Sequence, residues 1–560
     1  MKLNYKQTIW VGFAFLIICM FWQVYDTVLA RVLVNSFGLN QTWSGVVLAI
    51  DNVVALVLIP VFGVISDKTK NKHGRRTPFI VAGTVLAAVI FLFVGLFTSL
   101  QDQKIATAEI QPVYTCEVVE VIPNTGKEYQ NYVYAAEDGT YQVCDTNESL
   151  TSVSDFFHSI FSRVEPTYTE NKTLNLNDLE EGEILKVYVF SYEEDGVMVH
   201  HSYLEKEAAA DARSYFAQDI RQANIGYFIG FMVILCIVLI AMGSYRSPAV
   251  ALMPDVTPKP LRSQANAVIN LTGTVGGIIA LLFLTFTDSD YGNHIWSFVV
   301  LSALMFVFLA LFLWKVKEPK LVEKRIEEEK LYGILEETSS SVEDEAEKAK
   351  TEKAKERMPK DVKRSFAFIM VSIVLWFFAY NAATSKFSVY ATNVLDTGYT
   401  MPLLVAQASA VICYIPIGLI ATKIGRKKTI LIGIIILFAA FLLACFITSS
   451  TAFLMYVTMA VAGIGWATIN VNSFPMVVEM CKGADVGRYT GYYYTASMAA
   501  QIATPIFSGM LMDALGMTAL FPYCVTFAAL AFISMMFVKH GDAKPVPTSK
   551  LEALAGAEDD

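Results

Sequence analysis

The stretch GVISDKTKNKHGRRTPFI, residues 63–80, interrupts an apolar run and then lets it resume. Seven of the fourteen residues after Gly63 are ionisable, and one of them, Asp67, is an acid among bases. The surroundings explain the interruption. The chain has 560 residues, 54% hydrophobic and 17% charged, too apolar for a soluble protein of that size. Stretches of about 20 residues with almost no charge are long enough to cross ~30 Å of hydrocarbon as helices. They fall near 8–30, 41–65, 78–100, 222–243, 264–286 and 293–315, then 364–393, 400–421, 428–448, 451–477, 488–511 and 516–538. The segments lack the alternation a membrane β-barrel needs. The fold class is therefore an all-α membrane protein of twelve helices in two sets of six.

Basic residues of the short joints set the orientation. Lys68, Lys70, Lys72, Arg75 and Arg76 follow span two, Arg246, Lys259 and Arg262 follow span four, and Lys423, Arg426, Lys427 and Lys428 follow span eight. The opposite joints, 287–294, 448–451 and 513–517, are nearly free of Lys and Arg. The basic joints and both termini are expected in the cytoplasm of a cell-membrane protein. The first span is too long for a signal peptide and is expected to be retained.

The net charge of −9 is concentrated in two polar insertions. The expected organisation is helices 1–3 in 1–100, an extracytoplasmic insertion over 101–220 and helices 4–6 in 221–316. A charged linker over 317–362, helices 7–12 in 363–540 and a cytoplasmic tail over 541–560 follow. Within the first insertion, 186–192 alternates like a strand, whereas 152–164 and 204–220 have helical spacing. Cys116 and Cys144 could pair in an oxidising exterior, His200 and His201 could meet a metal, and Asn147 and Asn171 head glycosylation sequons. The other six cysteines sit in or beside spans and read as small packing residues. No pair has metal-ligand spacing, and no metal is expected. Neither insertion has the basic surface that nucleic acid requires. No phosphate-binding loop or nucleophile–base motif marks an enzyme or ATP-driven pump.

The two sets of six repeat. The joint after span two and the joint after span eight, TKIGRKKTILI, both give Gly, then bases, then a new apolar helix. The joint after span four, YRSPAVALMPDVTPKPLRSQANAVINLTG, matches NVNSFPMVVEMCKGADVGRYTGYYY after span ten. Each has Pro, then an acid (Asp255 or Glu479), then an Arg (Arg262 or Arg488) opening the next helix. Internal repeats of this kind mark secondary transporters.

On these residues the chain resembles the major facilitator superfamily, whose signature loop between helices two and three matches Gly63, Asp67, Gly74, Arg75 and Arg76. SDKTKNKHGRRTPFI and the joint after helix four are similar to those of the sucrose and related sugar:proton symporters. They are also close to those of the glycoside–pentoside–hexuronide:cation symporters. The resemblance implies alternating access, with Asp67, Gly74, Arg75, Arg76, Asp255, Arg262, Arg426, Glu479 and Arg488 forming a cytoplasmic gate. It implies no cofactor beyond a coupling ion, H+ or Na+, a bilayer around the chain, and function as a monomer on a small-molecule substrate. It skips 101–220, so removal of most of that insertion is expected to spare some transport.

A charge at mid-membrane costs about 2.5–3.5 kcal/mol on insertion scales, so embedded ionisable residues are functional candidates. Asp51, with Asn52 beside it, lies near the centre of helix 2, and Asp26 lies in helix 1. These two are the candidate coupling-ion residues. Gln23 and Arg31 in helix 1, Asn52, then Asn381, Ser385 and Lys386 in helix 7, and Trp466 and Asn470 in helix 10 are candidate substrate ligands. Amides and hydroxyls beside an aromatic platform suit a polyhydroxylated sugar. The same polar groups could instead join helices, and Arg31 could reach for the interface. Sodium coupling, export of a drug or metabolite, and a sensor that does not transport remain open on this reading.

Overall fold

The computed structural model describes residues 3–108, 110, 114–118, 140–144, 171–175, 185–194, 197–203, 206–258, 261–288, 294–331, 360–480 and 486–541. Helices α1 (Tyr5–Ser36), α2 (Gln41–Lys68) and α3 (Thr77–Thr107) open the chain. Strands β1 (Tyr114–Val118), β2 (Thr140–Cys144), β3 (Asn171–Asn175), β4 (Leu185–Glu194) and β5 (Val197–Tyr203) follow, then α4 (Lys206–Ala223). Next come α5 (Ile225–Val256), α6 (Arg262–Thr287), α7 (Ile295–Lys315) and a polar helix, α8 (Glu318–Leu331). The second half holds α9 (Lys360–Asn393), α10 (Thr400–Ile424), α11 (Arg426–Ala444), α12 (Leu454–Glu479), α13 (Val486–Leu515) and α14 (Leu520–Met536). Among the described residues, eleven helices are long and apolar enough to cross a membrane. The 25-residue α10 completes two sets of six.

Sequence punctuation sets the helix ends. Asn4 caps α1 by accepting from the Gln7 N–H at 3.1 Å, and Asn40 caps α2 from Trp43 at 2.9 Å. Pro78 starts α3, where its missing N–H costs nothing. Pro60, Pro248, Pro254, Pro416, Pro475 and Pro505 lie inside helices. Neighbouring helices can re-satisfy the carbonyls such prolines free. Between Tyr25 and Ser36, α1 widens into two π-helical turns, a local irregularity that often accompanies a functional site.

The sheet order is β1-β4-β5-β2-β3. It accommodates the strand read at 186–192, and the helix read at 204–220 is α4. The helix read at 152–164 and the sequon at Asn147 lie outside the described residues. Cys116 lies in β1 and Cys144 in β2, and their side chains lie outside the described residues. His200 and His201 are successive residues of β5, and their side chains lie outside the described residues.

The two halves meet through close-packed helices. α2 packs along α13, and a side chain at Gly45 would collide with the Pro505 carbonyl, one at Gly509 with the Gln41 carbonyl. Backbone contact from both directions requires glycine at both places.

Candidate functional site

At the basic end of the first half, the loop that opened the sequence is a built structure. Asp67 pairs with Arg76, and Asp255, at the end of α5, takes Arg76 Nε at 2.7 Å and Arg75 Nε at 3.0 Å. Asp255 therefore bonds bases from the preceding joint, while Arg262 Nε donates to the Thr257 carbonyl at 3.3 Å. Glu318, the first residue of α8, accepts from the N–H groups of Arg75 at 2.8 Å, Arg76 at 3.0 Å and Thr77 at 2.7 Å, and from Thr77 Oγ1. A carboxylate there caps α3 and complements its dipole. Gly74 has φ +106°, and a Cβ on it would strike the Glu318 carboxyl. The charged linker gave no sign in sequence that its first helix begins with this cap. In the second half Arg426 pairs with Glu479. The side chain of Arg488, which opens α13, lies outside the described residues. Asp67–Arg76, Asp255–Arg75, Asp255–Arg76 and Arg426–Glu479 are each made within one half.

Bonds that cross between the halves gather toward the opposite end, where the insertion sits. Asp513 of α13 accepts from the N–H groups of Gln41 and Thr42 at 2.7 Å each, and from Thr42 Oγ1 at 2.5 Å, capping α2 from the other half. Lys386, fully buried, donates to the Gln41 carbonyl at 2.7 Å. Arg31 pairs with Asp288 at 3.0 Å, and its guanidinium lies 4.8 Å from the ring centroid of Tyr399, whose hydroxyl also bonds Asp288. His294 Nδ1 completes the carboxylate's shell at 2.9 Å. Burial alone would raise the Asp288 carboxyl. The Arg31 charge and the bonds from His294 and Tyr399 outweigh that and hold it well below the usual carboxylate range. Asn393 meets Asn35 at 3.2 Å, and Thr285 meets Thr400 at 3.0 Å. Arg31 and Lys386 thus stand in this seal, not among the central polar groups.

Midway along the helices lies a charged cluster. Asn52 Nδ2 donates to Asp51 at 2.8 Å. Asp51 of α2, Asp26 of α1 and Arg246 of α5 lie within electrostatic reach of one another. Asp26 is accessible, while its neighbours Tyr25 and Thr27 are buried. The expectation that Arg246 sits in a joint is corrected: α5 runs on to Val256, and Arg246 lies inside it. Pro248 had suggested an ending, but here it is carried within the helix. Arg246 also lies 5.8 Å from the Trp22 ring, which leads to the neighbouring polar groups.

Gln23 bonds Gln407 of α10 across the halves. In the spans, Trp22 Nε1, Asn270 Nδ2, Asn381 Nδ2, Ser385 Oγ and Gln407 Oε1 are buried without a hydrogen-bond partner among the described residues. Buried polar atoms normally find partners, so atoms left open in this way invite a polar ligand. Trp466 stacks on Tyr380 with centroids 3.9 Å apart and planes 4° apart, and Asn470 is buried one turn along the same helix. Gln407 is the member of this group that sequence reading missed. Its signal was a lone amide in an otherwise apolar span.

Comparison with known proteins agrees with this architecture. Residues 11–108 match the family described as MFS/sugar transport protein. Two curated relatives, the MFS-type transporters ppzB of Metarhizium majus and Metarhizium rileyi, are each 26% identical over 133 residues. That stretch is 24% of this chain and 29% and 27% of theirs, so the chain spans under a third of the relatives' length. Solved structures share the fold along nearly the whole length. The inward-open xylose transporter XylE from E. coli has 13% identity and TM-score 0.52, covering 98% of this chain and 99% of that one. An inward-facing bacterial homologue of the human lysosomal transporter Spinster has 12% identity and TM-score 0.53, covering 98% and 100%. With residues 216–415 and 401–557 both matching its family description, the chain belongs to the Major Facilitator Superfamily.

Proposed function

We propose that the protein is a proton-coupled symporter of a sugar, a sucrose- or maltose-like glycoside, working by alternating access in the cell membrane. Its basic joints and termini face the cytoplasm, and the insertion faces out. The observation that carries the reading is the cluster of Asp26, Asp51 and Arg246 within the spans, together with buried polar atoms left without a partner among the described residues. An embedded carboxylate is tolerated when neutral and costly when charged, so it can load a proton from one side and release it to the other. Arg246 stabilises the charged form, which makes release possible. Gln23, Asn52, Asn381, Ser385, Trp466 and Asn470 supply the hydrogen bonds and the aromatic face that a polyhydroxylated ring takes up. The match of residues 11–108 to a sugar-transport family supports the substrate class.

With the insertion outside, the seal through Asp513, Lys386 and Asp288 closes the outer face, and the gate pairs are divided between the halves. The protein then rests facing inward. In the outward-facing state, Asp67, Arg75, Arg76, Asp255, Arg262, Arg426, Glu479 and Arg488 meet across the cytoplasmic seam. The experiment is uptake of labelled sucrose and maltose into reconstituted vesicles under an imposed proton gradient. Saturable accumulation that collapses with an uncoupler is expected. Accumulation driven by a sodium gradient alone would overturn the proton, and no uptake of any glycoside would overturn the substrate class.

A further inference from the structure

Helix α4 lies outside the twelve spans, and its contacts go to both halves. Its middle is fixed to the first half. Arg213 Nη1 donates to the Asn35 carbonyl at 3.0 Å, and Ser214 Oγ donates to the Val34 carbonyl at 2.6 Å, both on the last turns of α1. Gly38 lies against the backbone of Ser214 and Gln218, and its φ of +60° together with that contact leaves no room for a side chain. Ala208, Ala209, Ala212 and Ala217 pack with Ile105 at the end of α3 and with Tyr188 and Tyr203 of the sheet. The helix is therefore carried by the first half and by the insertion.

Its first turn reaches the second half. Lys206 Nζ lies 2.5 Å from Asp396 Oδ1 in the connection between α9 and α10, and the lysine is 6% exposed. Glu207 accepts from the N–H of Met517, in the connection between α13 and α14. Asp396 is the non-glycine residue with positive φ among the described residues, at +54°, so the chain bends there to present its carboxylate.

We infer that α4 is a strap across the outer seam, through which the insertion sets the balance between the inward- and outward-facing states. A helix fixed to the first half cannot follow the second half when the outer face opens. The Lys206–Asp396 and Glu207–Met517 bonds must then break. Their strength adds to that of the seal beneath them, and the insertion is a part of the cycle, not an ornament on it. The inference rests on alternating access but not on the identity of solute or ion.

The test uses the full-length protein in vesicles without substrate or imposed gradient, so its failure is separate from a failure of the sugar reading. Ser44, fully buried on α2 beside the seam, is replaced by cysteine and labelled from outside with an impermeant maleimide, the reaction of the parent protein being subtracted. Adding Lys206→Ala with Glu207→Ala should speed labelling about tenfold, as expected for losing one partly buried ion pair and one charge-assisted bond to backbone. Glu207→Gln keeps an acceptor for Met517 and should fall between. A second arm joins Lys206→Cys to Asp396→Cys with a thiol-cleavable cross-linker. The cross-link should suppress Ser44→Cys labelling, and reductant should restore it. Unchanged labelling in the folded double-alanine variant, or unhindered labelling in the cross-linked protein, would overturn the strap.

Discussion

At the scale of single residues, function turns on which buried charges have partners. Asp51→Asn imitates a permanently protonated acid. Exchange of substrate down its own gradient should survive in that variant, while accumulation driven by a proton gradient should collapse to the equilibrium ratio. Isotope exchange and net uptake in the same vesicles check this, and full accumulation would move the proton to Asp26. Asp288 makes a different prediction. Its folded carboxyl is depressed, so its stabilisation is present above the unfolded value of about 3.9 and is lost as pH falls through the lower folded value. Asp288→Asn leaves Arg31 buried without its anion and should cost about 3–5 kcal/mol. The gap in melting temperature between the two proteins should stay level from about pH 8 to 5 and narrow only below about pH 4. A gap that closes between pH 7 and 5 would mean another group titrates at the seal. Asp51 and Asp26 were legible as candidates because a charge in an apolar run is conspicuous. Arg246 was not, because two prolines and a tyrosine nearby made its surroundings look like a loop.

At the scale of elements, the spacing of apolar residues gave the spans, but bonds between distant elements were invisible. Glu318 is one such case. In sequence it is one acid in a charged run, whereas in the fold its carboxylate holds three N–H groups at the start of α3. Glu318→Ala should cost about 2 kcal/mol, since it removes a cap and leaves buried donors open. Hydrogen exchange should rise at Arg75–Thr77 and along α8, because one side chain ties the two together. Unchanged protection in both segments would show that α8 docks by other means. The strap is the second case. The sequence marked α4 as a helix and its insertion as foreign to the family pattern, but nothing in the helix's own residues announced a contact with Asp396 or Met517, more than 180 residues away.

At the scale of the whole molecule, the duplicated joints revealed two halves, and the seal reveals which end of their interface is closed. Asp513 capping α2 and Lys386 on the same turn are bonds between residues more than 300 positions apart, and no local pattern encodes them. Whether that closed end is the outside depends on orientation. The basic joints argue that it is, because Lys and Arg are retained on the cytoplasmic side of short loops. The decisive measurement is at two exposed positions at opposite ends, Ser450 between α11 and α12 and Lys70 between α2 and α3. In intact cells Ser450→Cys should react with an impermeant maleimide, and Lys70→Cys should react only after the membrane is opened. The reverse pattern would put the insertion and the seal in the cytoplasm and make the same structure outward-facing. It would also exchange the roles of the two gates. Asp67, Arg75 and Arg76 would then hold the outer end, and the proton would enter Asp51 from that end.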